Sequence, residues 1–187
     1  PELHARIMRE VIVPTVAGMA ADGIRYSGFL YAGIMVAPDG APRVLEFNCR
    51  FGDPETQPIL FRLKSDLLGL LEAAVNGRLD QAEAEWDRRV ALAVVLAAAG
   101  YPDSPVKGAV IHGLAQDQED CKVFHAGTAA RDDATVVSGG RVLAVTALGD
   151  NVKLAQKRAY EGVGQIHFDG MQYRRDIGWR AIDRKKQ

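Results

Sequence analysis

The sequence predicts an α+β fold in two parts, residues 1–84 and 85–187, on three observations. Strand and helix patterns are mixed without the regular alternation of a βαβ unit. The short strand candidates are separated by glycine turns, which suit antiparallel neighbours. The acidic, charged stretch Leu79–Arg89 divides an amphipathic first part from a second that opens on a continuous apolar run. With 187 residues, 48% of them apolar, both parts have enough material for a core.

In chain order, Ile7, Met8, Val11 and Ile12 recur at helical spacing, so residues 1–22 form a helix that Gly23 ends. His4 and Arg6 lie on its surface. The pattern starts at once, with no initiating methionine, and the chain is expected to be entered midway. Tyr26–Val36 reads as a strand, residues 37–42 as a hairpin connection rich in Pro and Gly, and Arg43–Phe51 as the partner strand. Gly52-Asp53-Pro54 is turn chemistry, with Asp53 placed to cap a helix over 54–63 and Pro54 at its first position. A second helix runs from a Ser65 or Asp66 cap to the Asn76-Gly77 stop.

In the second part, Val90–Ala97 reads as a buried strand, although the run alone leaves a helix open. Strand candidates follow at Val110–Gly113, Cys121–His125, Thr135–Val137 and Arg141–Ala147. A helix near Val152–Val163 and a strand at Ile166–Phe168 close the pattern. Ser138-Gly139-Gly140-Arg141 joins two of these strands and reads as a glycine hairpin whose Gly140 and Arg141 are also candidates to approach a ligand. His112, His125 and His167 lack metal-ligand spacing and read as structural. Lys185 and Lys186 read as a solvated tail.

Composition excludes several classes. A net charge of -1 gives no electrostatic case for nucleic acid or an anionic membrane surface. No apolar stretch is long enough to span a bilayer and no signal peptide begins the chain, so a cytoplasmic location is expected. Two cysteines, Cys49 and Cys121, form neither a disulfide framework nor a zinc pattern.

The chemistry concentrates on the strand before Gly52. Side chains alternate across a strand, so Leu45, Phe47, Cys49 and Phe51 share an apolar face suited to a core, with Cys49 buried. Glu46, Asn48 and Arg50 share the other face, each about 7 Å from the next. A carboxylate, an amide carbonyl and a guanidinium side by side suit a metal-bound polyphosphate, Mg²⁺ being a hard cation that takes oxygen ligands. Arg50 adds a planar fork for a phosphoryl oxygen.

Glu46-Phe47-Asn48-Cys49-Arg50-Phe51-Gly52-Asp53-Pro54-Glu55-Thr56-Gln57 resembles the signature segment of the phosphoribosylamine–glycine ligase family, within the ATP-grasp superfamily. Tyr26–Gly33, Ser138–Leu143 and Tyr173–Gly178 resemble the same family, and the likeness extends from about Pro1 to about Ile182. It implies that residues 1–84 are the C-terminal portion of an ATP-grasp domain and that 85–187 are the small C-terminal domain. It also implies ATP-dependent joining of glycine to 5-phosphoribosylamine through a glycyl phosphate, in purine biosynthesis. Glu46 and Asn48 are then implied as ligands of Mg²⁺ or Mn²⁺ bridging the ATP phosphates, and Arg50 as the group that stabilises the transferring phosphoryl or the acyl phosphate. Asp53, Glu55 and Gln57 fall where acceptor recognition is expected, and Arg174 or Arg175 would grip the phosphate of phosphoribosylamine. The strand before the motif, Phe29–Val36, contains no acid, which places the metal load on Glu46 and Asn48. The resemblance makes the remaining N-terminal portion of the enzyme a required partner and the isolated chain inactive. Two alternatives remain at this level: a non-catalytic substrate-binding fragment, or another ATP-grasp carboxylate–amine ligase.

Overall fold

The computed structural model describes residues 2–114 and 119–183; Lys185 and Lys186 lie outside them. In chain order the elements are α1 (Glu2–Ile7), a π-helical turn (Met8–Ile12), α2 (Val13–Ala21), β1 (Tyr31–Val36), β2 (Pro42–Asn48), α3 (Thr56–Phe61) and α4 (Leu67–Val75). They continue with a 3₁₀ turn (Leu79–Gln81), β3 (Val90–Ala97), β4 (Cys121–His125), β5 (Thr128–Arg131), β6 (Ala134–Val137), β7 (Arg141–Gly149), α5 (Val152–Val163) and α6 (Trp179–Asp183). They form two compact units. Unit 1 holds the residues up to Gly52 and Ser65–Ala84; unit 2 holds Asp53–Lys64 and the chain from Glu85 onward. No helix among the described residues is long and apolar enough to cross a membrane.

In unit 1, α1, the π turn and α2 join through helical dihedrals at Ile7, Ile12 and Val13. The sequence predicts one regular helix here. Pro14 explains the difference: it lacks an N–H, and its ring would strike the carbonyl one turn back, a clash that a wider π turn relieves. Arg6 pairs with Glu10 across one turn at 3.0 Å, and its hydrogen bond holds the Glu10 carboxyl below its usual range.

β1 and β2 make an antiparallel hairpin closed by Gly40 N–H to Ala37 O at 2.8 Å and Ala37 N–H to Ala41 O at 3.0 Å. β1 begins at Tyr31 rather than at Tyr26. Gly28, at φ +147°, breaks the extended chain before it. β2 ends at Asn48, so Cys49 and Arg50 lie in a bend beyond the strand. The register slips between Gly33–Glu46 and Ile34–Val44, which leaves Leu45 as the extra residue of a bulge. The face expected to sit on a core is open: Leu45 is 65% and Phe47 44% exposed, and Cys49 is exposed as well. Among the described residues the sheet of this unit is only two strands wide, and this face of it is left open. Phe51 alone of that set is half-covered, against Phe29 with ring centroids 3.9 Å apart. α4 begins as its sequence requires, Asp66 accepting from the Leu68 and Gly69 amides at 3.3 and 2.9 Å.

Unit 2 is built on the sheet β3-β7-β4, with β7 central and both pairings antiparallel. The even positions of β3, Leu92, Val94 and Leu96, point into a core with Val145, Ala155, Ala159, Val163 and Phe168. α5 lies on that face, carrying Ala155, Ala159 and Val163 at i, i+4 and i+8. The odd positions, Ala93, Val95 and Ala97, are half-buried on the other face. α3 packs against the sheet, and its Phe61 meets Phe124 of β4 edge to face at 6.2 Å.

An ion network ties the start of the sheet together. Arg89 grips Asp87 through Nε and Nη2 and also pairs with Asp120, which Arg158 meets at 2.8 Å. Arg62 donates twice to the Asp87 carbonyl, at 3.1 and 2.8 Å. The Arg89 hydrogen bond holds the Asp87 carboxyl at about 2.

Several second-part expectations change form. Residues 110–113 and 166–168 make isolated bridges, Val110 to Val136 and His112 to His167, rather than strands. Ser138–Arg141 is not a hairpin: β6 pairs with β5 and β7 with β3 and β4, so the glycines carry the chain between two sheets. His125 Nδ1 lies 3.0 Å from Thr128 Oγ1, a structural contact.

Candidate functional site

On β2, Glu46 and Asn48 are two residues apart and share a face, as the alternation requires. Asn48 Nδ2 donates to Glu46 Oε1 at 3.0 Å. That bond orients the pair, and Asn48 Oδ1 and Glu46 Oε2, which it does not use, are hard oxygen donors. Across the ladder, Gly33 stands opposite Glu46 and Tyr31 opposite Asn48. A Cβ on Gly33 would lie 3.2 Å from Glu46 Cγ, so the missing side chain is what lets Glu46 lie over β1. This donor set fits a Mg²⁺-type ion, which takes one or two protein oxygens and completes its shell with phosphate and water. No group of three or more His, Cys, Asp or Glu side chains that would form an all-protein cage occurs among the described residues.

Arg50 is exposed, two residues past Asn48, and its Nη1 donates to the Phe51 carbonyl at 2.7 Å. It therefore does not continue the Glu46–Asn48 face as a strand residue. A guanidinium on a bend reaches over a wider arc than one fixed on a pleat, which suits a group that meets a transferring phosphoryl.

The continuation of the motif belongs to unit 2. Asp53 does not cap α3. The helix starts at Thr56 behind Glu55, with no side-chain cap, and the Asp53 carboxylate instead faces Arg141 Nη2 at 3.0 Å. Glu55 is half-buried before α3. Gln57, on α3, has a buried Oε1 with no hydrogen-bond partner, an acceptor with unused capacity.

Unit 2 also contains a cavity of about 470 Å³, floored by Ala93, Val95 and Ala97 and bordered by Tyr101, Arg141 and Arg174. Arg174 forms a two-point pair with Asp176 at 2.9 and 2.7 Å, which raises the arginine's pKa and lowers the aspartate's. Both are largely exposed. Arg175 points elsewhere, over the Tyr173 ring at 5.6 Å. The two adjacent arginines thus separate, as neighbours on an irregular chain do. Gly140 has a structural reason for its identity: a Cβ there would run into the Tyr101 ring. Tyr101 is the wall residue that the sequence reading missed. The only signal for it was Gly140, whose need for a close neighbour is visible but not which neighbour.

Two models of one family match the chain. The phosphoribosylglycinamide synthetase C domain matches residues 91–180, and the ATP-grasp (A) domain of the same synthetase matches residues 1–56. A phosphoribosylamine–glycine ligase of Ralstonia nicotianae is 59% identical over 184 residues, which is 98% of this chain and 44% of that protein. The corresponding ligase of Vibrio cholerae is 59% identical over 186 residues, 99% of this chain and 43% of that protein. The crystal structure of phosphoribosylamine–glycine ligase from Thermotoga maritima superposes with a TM-score of 0.81 at 37% identity, covering 94% of this chain and 43% of that one. The chain therefore spans less than half the length of these relatives.

Proposed function

We propose, starting from the fact that the chain belongs to the phosphoribosylglycinamide synthetase family, that the whole protein joins glycine to 5-phosphoribosylamine with ATP. The products are glycinamide ribonucleotide, ADP and phosphate, as a step of purine biosynthesis in the cytoplasm. The observation that carries the reading is the Glu46–Asn48 pair, held together at 3.0 Å inside the signature segment and given room by Gly33.

Glu46 and Asn48 would hold Mg²⁺ or Mn²⁺ through their free oxygens. The ion, when bound, would supply positive charge that neutralises the ATP phosphates. Arg50 swings from its bend to the phosphoryl group as it passes to the glycine carboxylate, donating in two directions to the developing charge. The chain supplies no nucleophile to this reaction. Its residues orient the phosphates and stabilise charge while the amine of the sugar attacks the glycyl phosphate. Arg174 serves as a phosphate contact for phosphoribosylamine. Its surface pair with Asp176 is easily exchanged, since exposed ion pairs are worth roughly 0–1 kcal/mol. Arg175, stacked on Tyr173, takes no part. Glu55 and Gln57 stand on the acceptor side, where the unpaired Gln57 oxygen accepts from an amine.

The 187-residue chain by itself lacks turnover on this reading, because it spans less than half the length of its relatives and the remaining portion of the enzyme is needed to complete the ATP site. The test is ADP release by the complete protein given ATP, Mg²⁺, glycine and phosphoribosylamine. Release that needs both glycine and phosphoribosylamine is the expected result; release with another carboxylate or amine in their place overturns it.

A further inference from the structure

His112 and His167 lie far apart in the sequence, yet within unit 2 they are direct partners in an antiparallel bridge. The His112 N–H donates to the His167 carbonyl at 2.8 Å, and the His167 N–H donates to the His112 carbonyl at 3.1 Å. Two residues that exchange both bonds stand with Cα atoms about 5.5 Å apart and carry their side chains on the same face. Both histidines are exposed. Their chain neighbours Ile111, Ile166 and Phe168 are buried in the core. Alternation then turns both imidazoles outward, side by side.

The frame under the pair is anchored at both ends. The Ile111 N–H donates to the Thr135 carbonyl in β6 at 2.8 Å, and the Ile166 N–H donates to the Val163 carbonyl at the end of α5 at 3.1 Å. Gly113, at φ +73°, lies so close to the second segment that a Cβ there would run into the Gln165 carbonyl. Among the described residues neither imidazole has a side-chain hydrogen-bond partner, whereas His125 is engaged by Thr128. The ring nitrogens of the pair are therefore available on a preset backbone.

We propose that His112 and His167 form a two-imidazole site for a divalent transition ion of the Ni²⁺, Cu²⁺ or Zn²⁺ class. Imidazole nitrogen suits these ions, whereas Mg²⁺ and Mn²⁺ favour oxygen donors such as those of Glu46 and Asn48. Two nitrogens, each about 2.0–2.1 Å from one ion, stand roughly 3 Å apart. Rings that share a face reach that separation by rotation about χ1 and χ2. The described residues hold no group of three His, Cys, Asp or Glu side chains suited to a metal, so water completes the shell and the site is open rather than a closed cage. Sequence spacing gives no hint of the pair, because a long-range bridge brings the ligands together rather than one helix or loop. The site stands independently of the ligase reading.

The test is a titration of the 187-residue chain with Ni²⁺, read by calorimetry and by paramagnetic broadening of amide NMR signals. Wild type should bind one ion here and broaden residues 111–113 and 166–168 first. His112→Gln and His167→Gln should each weaken this binding at least about tenfold, since the remaining ring loses the effective concentration of its partner. His125→Gln should leave it unchanged, and the double variant at 112 and 167 supplies the background from other groups. Without metal both single variants should melt within about 2 °C of wild type, because the rings are on the surface. Saturating Ni²⁺ should raise the melting temperature of wild type and of neither bridge variant. A wild type that binds two ions, with one kept at unchanged affinity in each single variant, would mean independent histidines and overturn the site. Broadening centred elsewhere, equal weakening by His125→Gln, or wild-type binding no stronger than that of the double variant would overturn it as well.

Discussion

Unit 2 encloses Val94, Leu96, Val142, Val145, Val163 and Phe168 almost completely, whereas among the described residues of unit 1 the one buried apolar side chain is Val11, still 8% exposed. The two units come from one chain of ordinary composition, so the contrast lies in layers. Unit 2 stacks a three-stranded sheet on α5 and finishes a core. Unit 1 offers a two-stranded ribbon with Leu45 and Phe47 uncovered. The residues proposed for the phosphate chemistry, Glu46, Asn48 and Arg50, all sit in the unfinished unit. Position along the chain and completeness of the local core are thus separate matters: the Glu46–Asn48 pair lies on a ribbon that encloses little core of its own.

The largest expected effect attacks the finished core. Phe168→Ala should destabilise unit 2 by about 3–5 kcal/mol, whereas Phe47→Ala in the isolated chain should cost less than about 1 kcal/mol because that residue is already 44% exposed. Urea melts of the two variants decide it, and equal losses would erase the contrast between the units. Next comes Glu46→Ala in the complete protein, where metal-dependent turnover should fall at least about 100-fold. Its melting temperature should stay within about 2 °C of wild type, since the carboxylate supports no core. Normal turnover by that variant would remove Glu46 from the metal site.

Smaller effects sharpen the same comparison. Gly33→Ala should raise the Mg²⁺ concentration for half-maximal rate several-fold, because the new Cβ crowds Glu46 Cγ. A metal titration reads this directly, and an unchanged midpoint would mean that Glu46 has room to spare. Acid should act on unit 2 through Asp87. Its carboxyl is depressed from 3.8 to about 2 by Arg89, so its contribution is complete above about pH 3.8 and is lost as the pH falls through about 2. Asp87→Asn should flatten the stability profile across that interval by lowering the stability above about pH 3.8 toward its acid value. A profile that keeps its slope in the variant would assign the acid response to other carboxylates.

Much of this was legible in the sequence, for identifiable reasons. α5 and α4 announce themselves by Asn151 and Asp66 caps and by apolar spacing, which are local signals. The Glu46–Asn48 face is legible because strand alternation is also local. The exposure of Leu45, Phe47 and Cys49 was not, since alternation says which residues share a face but not whether a layer lies over it. Arg50 left the face because β2 stops at Asn48, and strand ends depend on the partner's length rather than on their own residues. Asp53 reads as a helix cap from its neighbours, yet its partner is Arg141, a contact that no local pattern reveals. Pro14 could have warned of the π turn, because proline in a helix interior has few accommodations.

The measurement that bears most directly on the contrast between the units is amide hydrogen exchange on the 187-residue chain, resolved by segment. Slow exchange in β3, β7, β4 and α5, together with fast exchange in β1 and β2, is the result this account expects. Protection of β1 and β2 equal to that of β7 would contradict it, and would mean that unit 1 completes its own core.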